Sequence, residues 1–167
     1  MGYDGNKPIL LVTGGSLGAK ALNDAITNCP KLADRFDIFV ITGKGKRIDC
    51  AFVKQAEFIG NMNDIFAATD VCLTRAGSNT LAELTLSQVP FVSVPLTKQS
   101  RGEQVKNAQW FCNRGCGLQL SEGELMRELY HVVNVAYDNR AAIQAKQRAT
   151  RSMYGTDRTV EEILKYN

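Results

Sequence analysis

The chain of 167 residues carries 20 Lys and Arg against 17 Asp and Glu, a net charge of +3, with 44% hydrophobic and 22% charged residues. These proportions belong to a folded globular chain and exclude disorder, and the glycines lack the three-residue period of collagen. No apolar run reaches the ~20 residues of a membrane span, no signal peptide opens the sequence, and a charge this mild argues for neither nucleic acid nor membrane insertion.

Strands and helices alternate from the start. Residues 8–13 (PILLVT) form a continuous apolar run, as in a strand buried on both faces of a parallel sheet. After the glycines of 14–18, residues 19–27 read as a helix with Leu22, Ala25 and Ile26 on one stripe, stopped by Pro30. A second buried strand covers 37–42 and ends in Gly43-Lys44-Gly45-Lys46. A weaker strand spans 53–59, and a short helix follows from about Asn61. The fourth strand is 71–74, then a helix over 79–87, a fifth strand at 91–94 and a helix over 103–113 closed by Arg114-Gly115. A short strand at 118–120 precedes helices at 122–137, 140–151 and 159–165. The pattern predicts α/β architecture, a doubly wound parallel sheet in one domain over 1–167. Ligands in such sheets sit beyond the carboxyl ends of the strands.

The five cysteines include four (Cys29, Cys50, Cys72 and Cys112) in or beside apolar runs, and they read as reduced thiols in a cytoplasmic protein. One histidine and no CxxC pair argue against a zinc site.

Two loops share one design. Gly14-Gly15-Ser16-Leu17-Gly18-Ala19 and Arg75-Ala76-Gly77-Ser78-Asn79-Thr80 each join a strand to a helix through small residues. Either one alone reads equally well as a tight turn. Together they favour two helix starts whose N–H groups converge on a diphosphate. A dinucleotide fold requires GxGxxG and an acid after the second strand, and a P-loop requires GxxxxGK[ST]; neither spacing occurs here. Residues 14–18 also match GxSxG, the nucleophile elbow of serine hydrolases. That chemistry needs a histidine, and the single one, His131, falls in the middle of a helical pattern.

With RAGSNTLAE at 75–83, SRGEQ at 100–104 followed by Asn107-Ala108, GGSLGA at 14–19 and EFIGNM at 57–62, the chain resembles the MurG family of peptidoglycan N-acetylglucosaminyltransferases. Those enzymes have the GT-B fold, and the SRGEQ form is similar to Firmicute members. The likeness covers the carboxy-terminal, donor-binding half and implies binding of UDP-GlcNAc. Gly15, Ser16, Gly18 and Gly77 would approach the diphosphate, with Ser78, Asn79 and Thr80 offering N–H groups to the α-phosphate. Glu83 would accept from the ribose hydroxyls, an exposed helix glutamate being the other reading. Ile59 would pair the uracil edge through its backbone from the end of its strand, and Phe58 would pack nearby or simply fill the core. Glu103 and Gln104 would bond sugar hydroxyls, while Arg101 would assist a phosphate or brace its loop. Leu17 stands where many members have glutamine, so a side-chain contact from that position is lost.

The resemblance further implies an inverting transfer of GlcNAc to lipid I, giving lipid II, without metal or other cofactor. An amino-terminal acceptor-binding partner would supply the base, leaving no catalytic residue in this chain. The complete enzyme would lie on the inner face of the plasma membrane. A serine hydrolase built on Ser16 and a non-catalytic nucleotide-sugar sensor are the alternative readings.

Overall fold

A computed structural model describes residues 3–15, 19–97 and 102–151. The expectations for Ser16, Leu17, Gly18, Ser100 and Arg101, and for a helix at 159–165, lie outside the described residues.

Six strands form one sheet, all parallel: β1 (Ile9–Thr13), β2 (Asp37–Ile41), β3 (Val53–Ala56), β4 (Val71–Thr74), β5 (Phe91–Ser93) and β6 (Leu118–Gln119), in the order β3-β2-β1-β4-β5-β6. Among the described residues seven helices accompany them: α1 (Lys20–Thr27), α2 (Leu32–Arg35), α3 (Met62–Ala67), α4 (Ser78–Leu86), α5 (Glu103–Cys112), α6 (Leu125–Asp138) and α7 (Arg140–Arg151). The two-residue period of a strand divides the core. Leu10 and Val12 pack with Leu22, Ile26, Leu129 and Val133 on one face, while Leu11 joins Leu81, Leu84, Ala108 and Phe111 on the other. Each fully buried Leu, Ile or Phe contributes about 1.5–3 kcal/mol of transfer free energy. Two apolar faces explain why the strands read as unbroken apolar runs. This is the doubly wound sheet that the sequence predicts.

The structure differs from expectation just after α1 and at the end of β3. Helix α1 ends at Thr27 as expected: the Thr27 hydroxyl and the Asn28 side-chain amide both donate to the Asp24 carbonyl, and Pro30, two residues past the C-cap, cannot continue the helix. Pro30 also leads into α2, a single turn whose buried Leu32 anchors it and which the sequence pattern does not reveal. Strand β3 stops at Ala56, so Ile59 lies in the following loop and not at a strand end.

The end of α5 follows the expected design. Gly115 takes a left-handed φ of +75°, its N–H donates to the Cys112 carbonyl at 2.9 Å, and the Cys116 N–H donates to the Phe111 carbonyl at 3.1 Å. All five cysteines are free; Cys72 and Cys116 are fully buried, and burial pushes the Cys112 thiol up to about 11. Among the described residues, no helix is long and apolar enough to cross a membrane.

Candidate functional site

The sheet order reverses direction between β1 and β4. Thr13 and Thr74, the last residues of those strands, are partners in register, so the two glycine-bearing loops leave the sheet side by side. This is the crevice where doubly wound sheets hold ligands. A cleft with a cavity volume of about 130 Å³ opens there.

Its walls come from four segments. Strand β1 and its loop supply Thr13 and Gly15, the latter at a left-handed φ of +77° with open space where a Cβ would stand. Strand β2 supplies Ile41. The loop after β3 supplies Glu57, Phe58 and Ile59, and α3 adds Met62 and Phe66. Helix α4 contributes Thr80 and, one turn later, Glu83. Gly15, Phe58, Ile59, Thr80 and Glu83 were all candidates from the sequence, and the fold brings them around one cavity. Phe58 is 55% exposed, which removes it from the core. With β3 ending at Ala56, the ring is carried out on the loop instead of being tucked under a strand.

Gly77 caps α4 in extended conformation, with no side chain accepting from the first turn. Leu81 makes the first backbone bond, from its N–H to the Gly77 carbonyl at 3.0 Å. The N–H groups of Ser78, Asn79 and Thr80 therefore belong to the unpaired start of the helix, where the dipole favours an anion. Ser78 and Asn79 are exposed and stand outside the cavity lining.

Glu103 and Gln104 sit at the start of α5 and do not line the cleft. Glu103 is exposed, and the Gln104 amide oxygen accepts from the Leu96 N–H at 3.0 Å, so Gln104 braces the turn after β5. Asn107, on the next turn, donates to the Ala76 carbonyl at 3.1 Å and ties α5 to the α4 loop.

Arg75 has a role that sequence reasoning missed. Its guanidinium is buried, donates to the Val94 carbonyl at 3.1 Å and pairs with Glu122 at 2.5 Å. One side chain thus joins the ends of β4 and β5 to the approach to α6. An arginine inside a glycine-rich loop is the available sequence signal, but its partner lies 47 positions away. Glu57 was also passed over; its carboxylate accepts from the Gly45 N–H at 2.9 Å.

His131 is exposed in the middle of α6 and is not among the lining residues, which contain no histidine. The hydrolase reading therefore lacks a base at the described part of the cleft. Among the described residues, no three His, Cys, Asp or Glu side chains gather as a metal-binding group would require.

Comparison with known proteins agrees with the geometry. The glycosyltransferase family 28 C-terminal domain matches residues 9–161. A UDP-N-acetylglucosamine–N-acetylmuramyl-(pentapeptide) pyrophosphoryl-undecaprenol N-acetylglucosamine transferase of Lachnoclostridium phytofermentans is 37% identical over 161 residues, covering 90% of this chain and 45% of the relative. The enzyme of the same name from Geobacillus thermodenitrificans is 39% identical over 147 residues, covering 83% and 41% respectively. Among solved structures, Acinetobacter baumannii MurG superposes with a TM-score of 0.76 at 24% identity, over 97% of this chain and 51% of that one. The chain spans about half the length of the curated relatives it matches. With the family's pattern running from the first strand nearly to the last residue, the chain belongs to the glycosyltransferase family 28 C-terminal domain family.

Proposed function

We propose that the cleft binds UDP-GlcNAc and that the chain is the donor-binding half of an inverting N-acetylglucosaminyltransferase of peptidoglycan synthesis. The observation that carries this reading is the meeting of Gly15, Phe58, Ile59, Thr80 and Glu83 at one cavity beside the start of α4. The parts suit a nucleoside diphosphate. Apolar Ile41, Ile59, Met62 and Phe66 offer a slot for a pyrimidine, and the Glu83 carboxylate suits the ribose cis-diol. The Gly15 backbone and the first N–H groups of α4 would meet the two phosphates.

In the complete enzyme, the acceptor hydroxyl of lipid I would attack the anomeric carbon of GlcNAc. The bond to UDP would break with inversion, and a β-1,4 linkage would form to give lipid II. As the diphosphate departs, the charge growing on its oxygen would be met by the α4 N–H groups and helix dipole in place of a metal. The acceptor and the base that removes its proton would come from an amino-terminal partner domain, and the assembly would work at the cytoplasmic face of the membrane. The relatives' names supply the sugar and the lipid acceptor of this reading.

Titration calorimetry of the chain with UDP, UDP-GlcNAc, ADP and NAD tests the ligand class. Binding of both uridine ligands without the adenine ones is the expected result. Equal binding of ADP, or no binding of UDP, would overturn it.

A further inference from the structure

Among the described residues that line the cleft, the charged ones are Glu57 and Glu83, and none is a lysine or arginine. A cation stands beside one of the lining rings. The Lys44 ammonium lies 4.9 Å from the centroid of the Phe58 ring. Phe58 lines the cleft and Lys44 does not, so the ammonium meets a wall residue of the cleft and not the cavity itself.

The loop that carries Lys44 is tightly built. Gly43 and Gly45 on either side take left-handed φ values of +94° and +70°, which a side chain would strain. The Thr42 hydroxyl donates to the Lys46 carbonyl at 2.6 Å, and the Lys46 N–H donates back to the Gly43 carbonyl at 3.0 Å. The Gly45 N–H then donates to the Glu57 carboxylate at 2.9 Å, fastening this loop to the residue beside Phe58. Phe58, outside the core and 55% exposed, lacks the close packing that locks a buried ring in one rotamer.

We propose that Lys44 is a positioning residue for the nucleobase: its cation–π contact holds the Phe58 ring as a wall of the base slot, at a height set by the Gly45–Glu57 bond. The role rests on the nucleotide reading of the cleft. It gives the glycine-flanked lysine a purpose that a solvated surface lysine would not have. Lys44 then acts through the ring, and its effect is confined to ligands that carry a base.

Calorimetry on the full chain with UDP and with inorganic diphosphate tests this. Lys44→Met is expected to weaken UDP about two- to fivefold, the span of an exposed cation–π contact, and to leave diphosphate unchanged. Lys44→Arg should keep the parent affinity, because a guanidinium stacks on the ring at least as well. In a Phe58→Leu background, Lys44→Met should have no further effect. A UDP affinity unmoved by Lys44→Met overturns the role. So does an equal loss when Phe58 is absent, or a parallel loss of diphosphate, since either would mean that Lys44 acts on the ligand directly. Failure of the unsubstituted chain to bind UDP removes the nucleotide reading and this role together; UDP binding with a flat Lys44 series removes only the role.

Discussion

Glu83 is the one carboxylate that α4 carries, and it faces the cleft one turn after Thr80. The spacing separates two tasks along a single helix, phosphate at the N–H groups of the first turn and ribose diol at the carboxylate. Glu83→Ala is therefore expected to weaken UDP by about 1.5–3 kcal/mol, roughly ten- to a hundredfold, while inorganic diphosphate binds as before. Calorimetry with both ligands checks it; equal losses would take Glu83 out of the ribose contact. Tyr3 illustrates a residue whose chemistry concerns stability alone. Its hydroxyl donates to the Ile38 carbonyl at 2.6 Å. Burial, helped by the nearby Asp37 charge against an opposing backbone hydrogen bond at Lys54, raises its pKa from 10.0 to about 12. Between these values the folded chain keeps a proton that the unfolded chain releases, so this contribution is present below about pH 10 and is lost as pH rises toward 12. Thermal melts from about pH 9.5 to about pH 11 should show a shallower fall in Tm for Tyr3→Phe than for the parent. Identical slopes would assign the alkaline loss to other groups.

At the scale of elements, helix ends and strand approaches carry most of the local specification. Helices α4 and α5 stop in the same way with different residues. Gly115 closes α5, whereas Gln88 takes the left-handed conformation after α4 at φ 56°, with the Val89 N–H donating to the Leu84 carbonyl at 2.9 Å. Gln144 and Arg148 of α7 donate to the Gln88 carbonyl and side chain at 3.1 and 2.9 Å, so a helix distant in sequence supports what glycine does unaided. Gly117 serves a different need, because a Cβ there would lie 2.4 Å from the buried Phe91 ring. Gly117→Ala is expected to destabilise the chain by about 1–3 kcal/mol through overpacking. Urea denaturation measures this loss, and an unchanged midpoint would show that β5 and the α5–β6 turn can part freely.

For the molecule as a whole, a chain proposed as the donor-binding half of a transferase should bind without turning over. A cleft at the edge of one domain can hold the donor, but acceptor positioning accounts for roughly 7–11 kcal/mol of such a barrier, and the described lining offers no histidine to serve as base. The 167-residue chain is expected to bind UDP-GlcNAc and transfer nothing to a short-chain lipid I analogue. Adding the amino-terminal half, fused or separate, should restore radiolabelled GlcNAc incorporation at a rate that saturates with the added half. Robust turnover by the chain alone would sink the division of labour proposed here.

Much of this was legible in the linear order of residues. Apolar runs buried on two faces alternate with helical stripes, and right-handed crossovers then leave little choice but a doubly wound parallel sheet. The loops at Gly15 and at Gly77 to Thr80 could be found because glycines and helix starts are local features. What depends on the third dimension is which residues meet. Phe58 also read as core, and only its 55% exposure on the loop after β3 takes it out; the bond from the Leu96 N–H to the Gln104 amide oxygen is likewise invisible in the linear order. Arg75 reaches Glu122, Lys44 reaches Phe58 and Glu57 reaches Gly45 across separations that no periodicity encodes. Periodicity reports which face of an element is buried, because burial follows from each residue's own hydrophobicity. Partnership between loops is decided by the strand order and the register of Thr13 against Thr74, which exist only once the sheet has formed.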